Sequence, residues 1–170
     1  MLELAHDLGV MHLADDQTVC MTQYTGELRR WEDSFRRGAP LKQAGKIVLP
    51  GSRTFYTDLW MVAQTGQVAS HFPLEERNRY AQFYGQIRAN EVFAQQRRDQ
   101  WQELLDFDGA DRLDHQDLMR LHGLIGRIER SVGNIKANLA LMEERARALG
   151  VSAEKLSNPT AQCPHLLAEH

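Results

Sequence analysis

Residues 118–149 read LMRLHGLIGRIERSVGNIKANLALMEERARAL, and apolar side chains recur in them at alternating intervals of three and four. These side chains are Leu118, Leu121, Ile125, Ile128, Val132, Ile135, Leu139, Met142, Ala146 and Leu149. A repeat of about 3.5 residues nearly matches the turn of an α-helix, so one narrow stripe stays against a neighbouring helix over many turns. The segment therefore predicts a long helix that is buried along a single seam.

A second long helix is predicted immediately before this seam. Pro73 suits the first turn of a helix, and the apolar spacing that follows continues to about Phe107. Residues 106–111 form only a short turn, so the two long helices must lie antiparallel. Asp111 or Asp114 is expected to cap the helix that carries the seam.

The N-terminal part of the chain predicts further helix. Apolar spacing favours a helix over residues 2–37 with a break near Asp16, and a shorter helix that begins at Ser52 or Thr54 and ends at Gly66. The prolines and glycines of residues 40–51 indicate a packed connector. Five aromatic residues at helical spacing are expected in the core: Trp31, Tyr56, Trp60, Tyr84 and Trp101.

These elements together predict an all-α fold. We expect an antiparallel bundle of about four helices over residues 1–150, in which the two long helices form a central hairpin. The remaining residues, 151–170, contain Pro159 and Pro164 and are expected to form an extended tail that is packed on the bundle or tethered to it.

Composition excludes several classes of protein. The 170 residues carry a formal net charge of −3, and the sixteen arginines and four lysines are interspersed with carboxylates. Because a nucleic-acid-binding protein gathers positive charge on one face, we predict no nucleic-acid partner. No run approaches the roughly 18–20 apolar residues of a membrane span. Residues 1–11 lack a basic region and are not a signal peptide as written.

The two cysteines allow two interpretations. A bond between Cys20 and Cys163 would fasten the tail to the first helical region, and it would indicate an oxidising compartment. Alternatively, the two thiols are unrelated, with Cys20 buried in the bundle. Their spacing does not choose between these interpretations.

Metal and catalytic sites are only weakly indicated. Glu3 and His6 have the Glu-x-x-His spacing of di-iron bundles, and His115 and His122 share a helical face, but the full ligand pattern is incomplete. The aspartates from Asp106 to Asp117 do not fit a calcium loop and suit helix capping better. The sequence has no nucleophile elbow and no phosphate-binding loop. We therefore predict no catalytic residue, no cofactor and no metal.

Several segments resemble a large group of single-span bacterial membrane proteins with a helical extracytoplasmic domain. They are residues 16–20 (DQTVC) with Arg29 and Arg30, residues 57–68 (TDLWMVAQTGQV), the helix begun by Pro73, and residues 148–151 (ALGV) with the late Cys163. The resemblance implies a periplasmic domain, anchored to the inner membrane by a segment before residue 1. It also implies the disulfide between Cys20 and Cys163, and it implies no known activity.

Three functions are compatible with these observations. The first is a non-enzymatic extracytoplasmic domain that binds a small ligand, a protein partner or a second copy of itself through its helical faces. The second is the ligand-binding bundle of a sensory receptor. The third is a metal-dependent enzyme that uses Glu3, His6, His115 or His122.

Overall fold

The structure, a computed structural model, describes residues 2–48, 53–156, 163 and 165–167. Within these ranges the regular secondary structure is helical, and β-structure is limited to one isolated bridge between Gln43 and Leu167. The α-helices are α1 (Leu2–Asp16), α2 (Thr18–Arg36), α3 (Asp58–Thr65), α4 (Leu74–Leu104) and α5 (His115–Ala148), with short 3₁₀ turns at Val68–His71 and Leu105–Phe107. The predicted all-α fold is confirmed.

Helix α5 carries the repeat that the sequence analysis started from. Eight of the ten seam residues, from Leu121 to Ala146, are buried, and Leu118 and Leu149 at its two ends are partly exposed. Seven of these eight are Val, Leu, Ile or Met, and burial of each of the seven stabilises the fold by about 1.5–3 kcal/mol. The seam prediction is confirmed.

The chain divides into two compact units. The first unit contains Met1–Asp16, Ser52–Ala94 and Ile135–Asn158, and the second contains Gln17–Gly51, Gln95–Asn134 and Pro159–His170. Helices α4 and α5 each contribute one part to each unit. The predicted boundary at residue 150 between a bundle and a tail stays a prediction.

In the first unit, the contributions of α4 and α5 lie antiparallel. An Arg79 guanidinium nitrogen donates to the Ala148 carbonyl at 3.2 Å, and the buried Asn90 amide donates to the Met142 sulfur at 2.9 Å. As residue numbers rise along α4, the numbers of the α5 partners fall. The predicted antiparallel hairpin is therefore present in this unit.

The segment that follows α5 packs against α1 in the same unit. The Glu154 amide donates to the Ala5 carbonyl at 2.8 Å. Gly9 makes this approach possible, because a Cβ atom there would collide with the Glu154 carbonyl oxygen. The first residues of the predicted tail are therefore packed on the helices.

In the second unit, α2 packs against α4 and against the connector that follows α2. The buried rings of Tyr24 and Trp101 lie 5.6 Å apart, and the Trp31 indole donates to the Leu41 carbonyl at 3.1 Å. Ile47 is buried, as expected for a packed connector, and its amide donates to an Asp108 carboxylate oxygen at 2.8 Å. The contributions of α4 and α5 are again linked, by an ion pair of 3.2 Å between Glu103 and Arg127.

Predicted helix ends are mostly confirmed. A turn at Gln17 separates α1 from α2, close to the predicted break. Gly66 follows the last residue of α3, as predicted. At the start of α5, the Asp117 amide donates to the Asp114 carboxylate at 2.8 Å and the Asp114 amide donates to the Asp117 carboxylate at 3.2 Å. This reciprocal pair is a capping box, and it selects Asp114 over Asp111.

The predicted end of α4 near Phe107 is confirmed, because a 3₁₀ turn (Leu105–Phe107) continues the α-helix beyond Leu104.

Two predictions in this region are wrong. Helix α3 begins at Asp58, with Thr57 at its N-cap position, and Thr54 lies in non-helical backbone. Tyr56 is 49% exposed, and its ring stacks on the His6 ring at a centroid distance of 4.6 Å. The other four aromatic residues expected in the core are buried.

Some predictions fall on residues that are not described. Ser52, the alternative cap of the short helix, and the tail prolines Pro159 and Pro164 lie outside the described residues. Among those that are described, no helix combines the length and apolar character needed to cross a bilayer.

Candidate functional site

A groove in the second unit is lined by polar residues of α2 and α5. Its volume is about 480 Å³, and its lining consists of Arg29, His122, Gly123, Gly126, Glu129 and Arg130. The other α5 residues of the lining lie three or four positions before or after Gly126, so one face of α5 forms the floor of the groove. The volume falls within the range of roughly 300–1,000 Å³ that is typical of small-molecule sites.

Behind the groove, a buried carboxylate organises the neighbouring cations. Glu32 is only 1% exposed, and its carboxylate pairs with Arg36 at 2.6 Å, Arg29 at 3.1 Å and His122 at 2.9 Å. His122 Nδ1 lies 2.9 Å from the Glu32 carboxylate and 2.9 Å from Arg29 Nη1. This ring nitrogen either donates to Glu32 or accepts from Arg29, according to the tautomer. The buried carboxylate of Glu32 therefore holds the guanidiniums of Arg29 and Arg36 in fixed positions.

Arg29 is the most constrained side chain of the lining. Its Nε and Nη2 atoms donate to the two carboxylate oxygens of Glu129 at 3.2 and 2.8 Å, in a two-pronged arrangement. The hydrogen bond to Glu129 raises the pKa of Arg29, against the opposing effect of burial, and Glu32 raises it further. The guanidinium is therefore a permanent, oriented positive charge.

A second guanidinium approaches the same part of the floor. A Cβ atom at Gly126 would lie 3.4 Å from Arg29 Nη2 and 3.6 Å from Arg130 Nη1. Both cations therefore converge over the residue that has no side chain. Arg130 is exposed and forms no hydrogen bond or ion pair within the described part of the chain. The groove thus combines one arginine that is held in place with one that is available to a ligand.

Elsewhere in the second unit, a second buried carboxylate binds residues 165–167 to α2. Glu27 is 3% exposed and accepts hydrogen bonds from the amides of Leu166 at 2.6 Å and Leu167 at 3.0 Å. Its other oxygen lies 2.9 Å from His165 Nδ1. Burial alone would raise the pKa of Glu27, but these donors outweigh burial and lower it.

The disulfide lies in the same unit and joins Cys20 of α2 to Cys163. This pairing settles the two interpretations of the cysteines in favour of the bond. Cys163 lies two residues before His165, but its sulfur is bonded to Cys20, so it is not available as a nucleophile.

The first unit contains a pair of buried carboxylates on α1. Glu3 and Asp7 lie one turn apart and are 8% and 0% exposed. Asp7 Oδ1 accepts the Tyr56 amide at 2.8 Å, while Glu3 Oε1 and Asp7 Oδ2 have no hydrogen-bond partner among the described residues. Burial raises the pKa of Asp7 from 3.8 to about 7, the Tyr56 amide lowers it, and the charges of Glu3 and Glu91 raise it. Burial also raises the pKa of Glu3.

The weak metal candidates are divided between the two units. Glu3 and His6 belong to the first unit, and His115 and His122 belong to the second. His6 pairs with Glu154 at 3.1 Å, and His122 pairs with Glu32. Among the described residues, no group of three or more histidines, cysteines or carboxylates is placed to hold a metal ion. The metal-dependent enzyme stays an untested hypothesis.

Sequence reasoning missed most of the residues that line the groove. Arg29 was noted only within the family resemblance, and Glu129 and Arg130 were not noted at all. The one signal was the glycine spacing of α5, because Gly123 and Gly126 each weaken a helix by about 1 kcal/mol relative to alanine. Glycines retained at that cost indicate a surface where something approaches the backbone closely.

Comparison of the chain with protein-family models, with curated proteins and with solved structures finds no match.

Proposed function

We propose that this chain is a non-enzymatic binding domain of a membrane-anchored bacterial protein, that it works in the periplasm, and that it binds its ligand in the groove of α2 and α5. The observation that carries the proposal is the convergence of Arg29 and Arg130 over Gly126. Guanidinium groups that face a floor without a side chain leave room for a ligand and offer it several donors.

The disulfide supports the compartment. Disulfides persist in oxidising compartments and are rare in the cytosol of most bacteria, and the bond between Cys20 and Cys163 uses the only two cysteines of the chain. The inner-membrane anchor depends on the family resemblance of residues 16–20 and 57–68.

The state of the carboxylates in and behind the groove supports binding over catalysis. Glu129 and Glu32 are both held in ion pairs with arginine. A carboxylate oxygen that already accepts hydrogen bonds from a guanidinium is less available to accept a proton from a substrate. The groove is thus better suited to hold a ligand than to transform one.

Filling the groove is expected to abolish binding without loss of stability. Gly126→Leu places a side chain between the two guanidiniums, and it raises helix propensity by up to about 1 kcal/mol. A thermal-shift screen with a library of small molecules should reveal compounds that raise the melting temperature of the wild-type chain and not that of Gly126→Leu. Mass spectrometry should recover these compounds unaltered.

Gly133→Leu is the matched control, because Gly133 lies on the same helix and nothing is within 4 Å of its added Cβ. This control should keep all the ligand-induced shifts of the wild type. If Gly126→Leu fails to fold, Gly126→Ala provides a smaller obstruction at the same position. Shifts that persist in these Gly126 variants, or compounds that are chemically converted, would contradict the proposal.

The compartment is tested on protein isolated from its own cells. Cells are lysed in an alkylating agent, and the peptides that contain Cys20 and Cys163 are analysed by mass spectrometry. We expect the two peptides to be linked and unalkylated. Recovery of both thiols in the alkylated form would show that the protein resides in a reducing compartment.

A further inference from the structure

The charge of the groove points to an anionic ligand. Its lining contains the permanent cations Arg29 and Arg130 and the single carboxylate of Glu129. These three side chains carry one excess positive charge, and Glu129 is paired with Arg29, so the unpaired positive charge is that of the exposed Arg130. A ligand that carries one negative charge at this position neutralises the groove.

The geometry of Arg29 points to the chemical class of that anion. Its Nε and Nη2 edge already receives the Glu129 carboxylate with both oxygens engaged, at 3.2 and 2.8 Å. A guanidinium presents parallel N–H groups whose spacing matches a carboxylate. The Glu129 side chain is itself 41% exposed, so a carboxylate from solution can reach the same region.

We propose that the groove binds a small molecule with a carboxylate group, which contacts Arg130 and the neighbouring Nη2 of Arg29 above Gly126. This inference depends on the proposed function for the location of the site, and it adds the class of ligand. Glu129 acts as an internal competitor, because its carboxylate occupies donors of Arg29 that the ligand would otherwise share.

The ligand class is tested by isothermal titration calorimetry of the full chain with four probe compounds. Succinate supplies carboxylates, succinamide is its neutral analogue, inorganic phosphate supplies another anion, and putrescine supplies a cation. We expect binding of succinate, weakened by added salt because Arg130 is exposed, and no binding of succinamide or putrescine. Phosphate is expected to bind more weakly than succinate.

Two substitutions connect binding to the groove. Arg130→Gln is expected to weaken succinate binding roughly 10- to 100-fold, the range for loss of hydrogen bonds to a charged group. Arg147→Gln removes the same charge from an exposed position of α5 outside the lining and should leave the affinity unchanged. Glu129→Gln should increase the affinity several-fold, roughly as expected when a competing charged hydrogen bond is weakened.

The outcomes separate the two proposals. Tighter binding of phosphate or putrescine than of succinate, lost in Gly126→Leu, would overturn the carboxylate assignment and leave the binding groove in place. Equal affinity of the wild type and Arg130→Gln for succinate would also overturn it. If none of the four probes binds and the library screen finds no compound that depends on Gly126, both proposals fail.

Discussion

Replacing Cys20 and Cys163 together by serine is expected to lower the free energy of unfolding by about 2–5 kcal/mol. The bond joins positions 143 residues apart, so its loss returns a large amount of conformational freedom to the unfolded chain. The double variant leaves no unpaired thiol that could react elsewhere. The measurement is urea-induced unfolding followed by far-UV circular dichroism, with the change read from the midpoint and slope.

The wild-type chain in a reducing agent provides the control for this experiment. Its unfolding curve should move to that of the double variant, and the double variant itself should not respond to the reductant. A wild-type curve that is identical with and without reductant would show that the bond contributes nothing to stability. In that case the hydrogen bonds from Leu166 and Leu167 to Glu27 would be sufficient to hold the C-terminal residues.

Asp7→Asn is expected to remove most of the pH dependence of stability between mildly acidic and mildly alkaline conditions. The pKa of Asp7 is raised from 3.8 to about 7, so within this window the folded chain keeps a proton that the unfolded chain has released. The free energy of unfolding therefore falls as pH rises through the window. At about 1.4 kcal/mol for each pKa unit, the loss is on the order of 2–4 kcal/mol.

Asparagine suits this test because it keeps an oxygen for the Tyr56 amide and carries no charge. Unfolding is measured by urea titration at about pH 5 and about pH 8, where Asp7 is mainly protonated and mainly ionised in the folded chain. Asp16→Asn is the matched control, since Asp16 is an exposed aspartate on the same helix, and it should retain the wild-type difference. An equally large difference in Asp7→Asn would show that Asp7 is not responsible.

The long helices could be predicted because their signals are local and repeated. The α5 seam returns to the same face every three or four residues, and Asp114 and Asp117 form their capping box within one turn of helix. The start of α3 could not be predicted in this way. There the Tyr56 amide donates to the buried Asp7, 49 residues earlier in the chain, and this tertiary hydrogen bond keeps the preceding backbone out of the helix.

The groove was also not predictable, because it is formed by tertiary contacts between residues far apart in the chain. Arg29 and Glu129 are separated by 100 residues, and no pattern within α2 or α5 indicates which charges will meet. Sequence reasoning can identify the glycines of α5 as places where another group approaches the helix backbone closely, and Gly126 lies beneath two guanidiniums. It could not identify the approaching side chains, because that depends on how the helices pack.

The separation of the two cysteines also determines the order of events during biosynthesis. Cys163 leaves the ribosome 143 residues after Cys20. The Cys20 thiol therefore has no native partner while α3, α4 and α5 are being synthesised. A mixed disulfide that Cys20 forms in this interval can still be resolved, because the Cys163 thiolate can attack it and release the other thiol. Closure of the native bond therefore cannot precede the synthesis of Cys163.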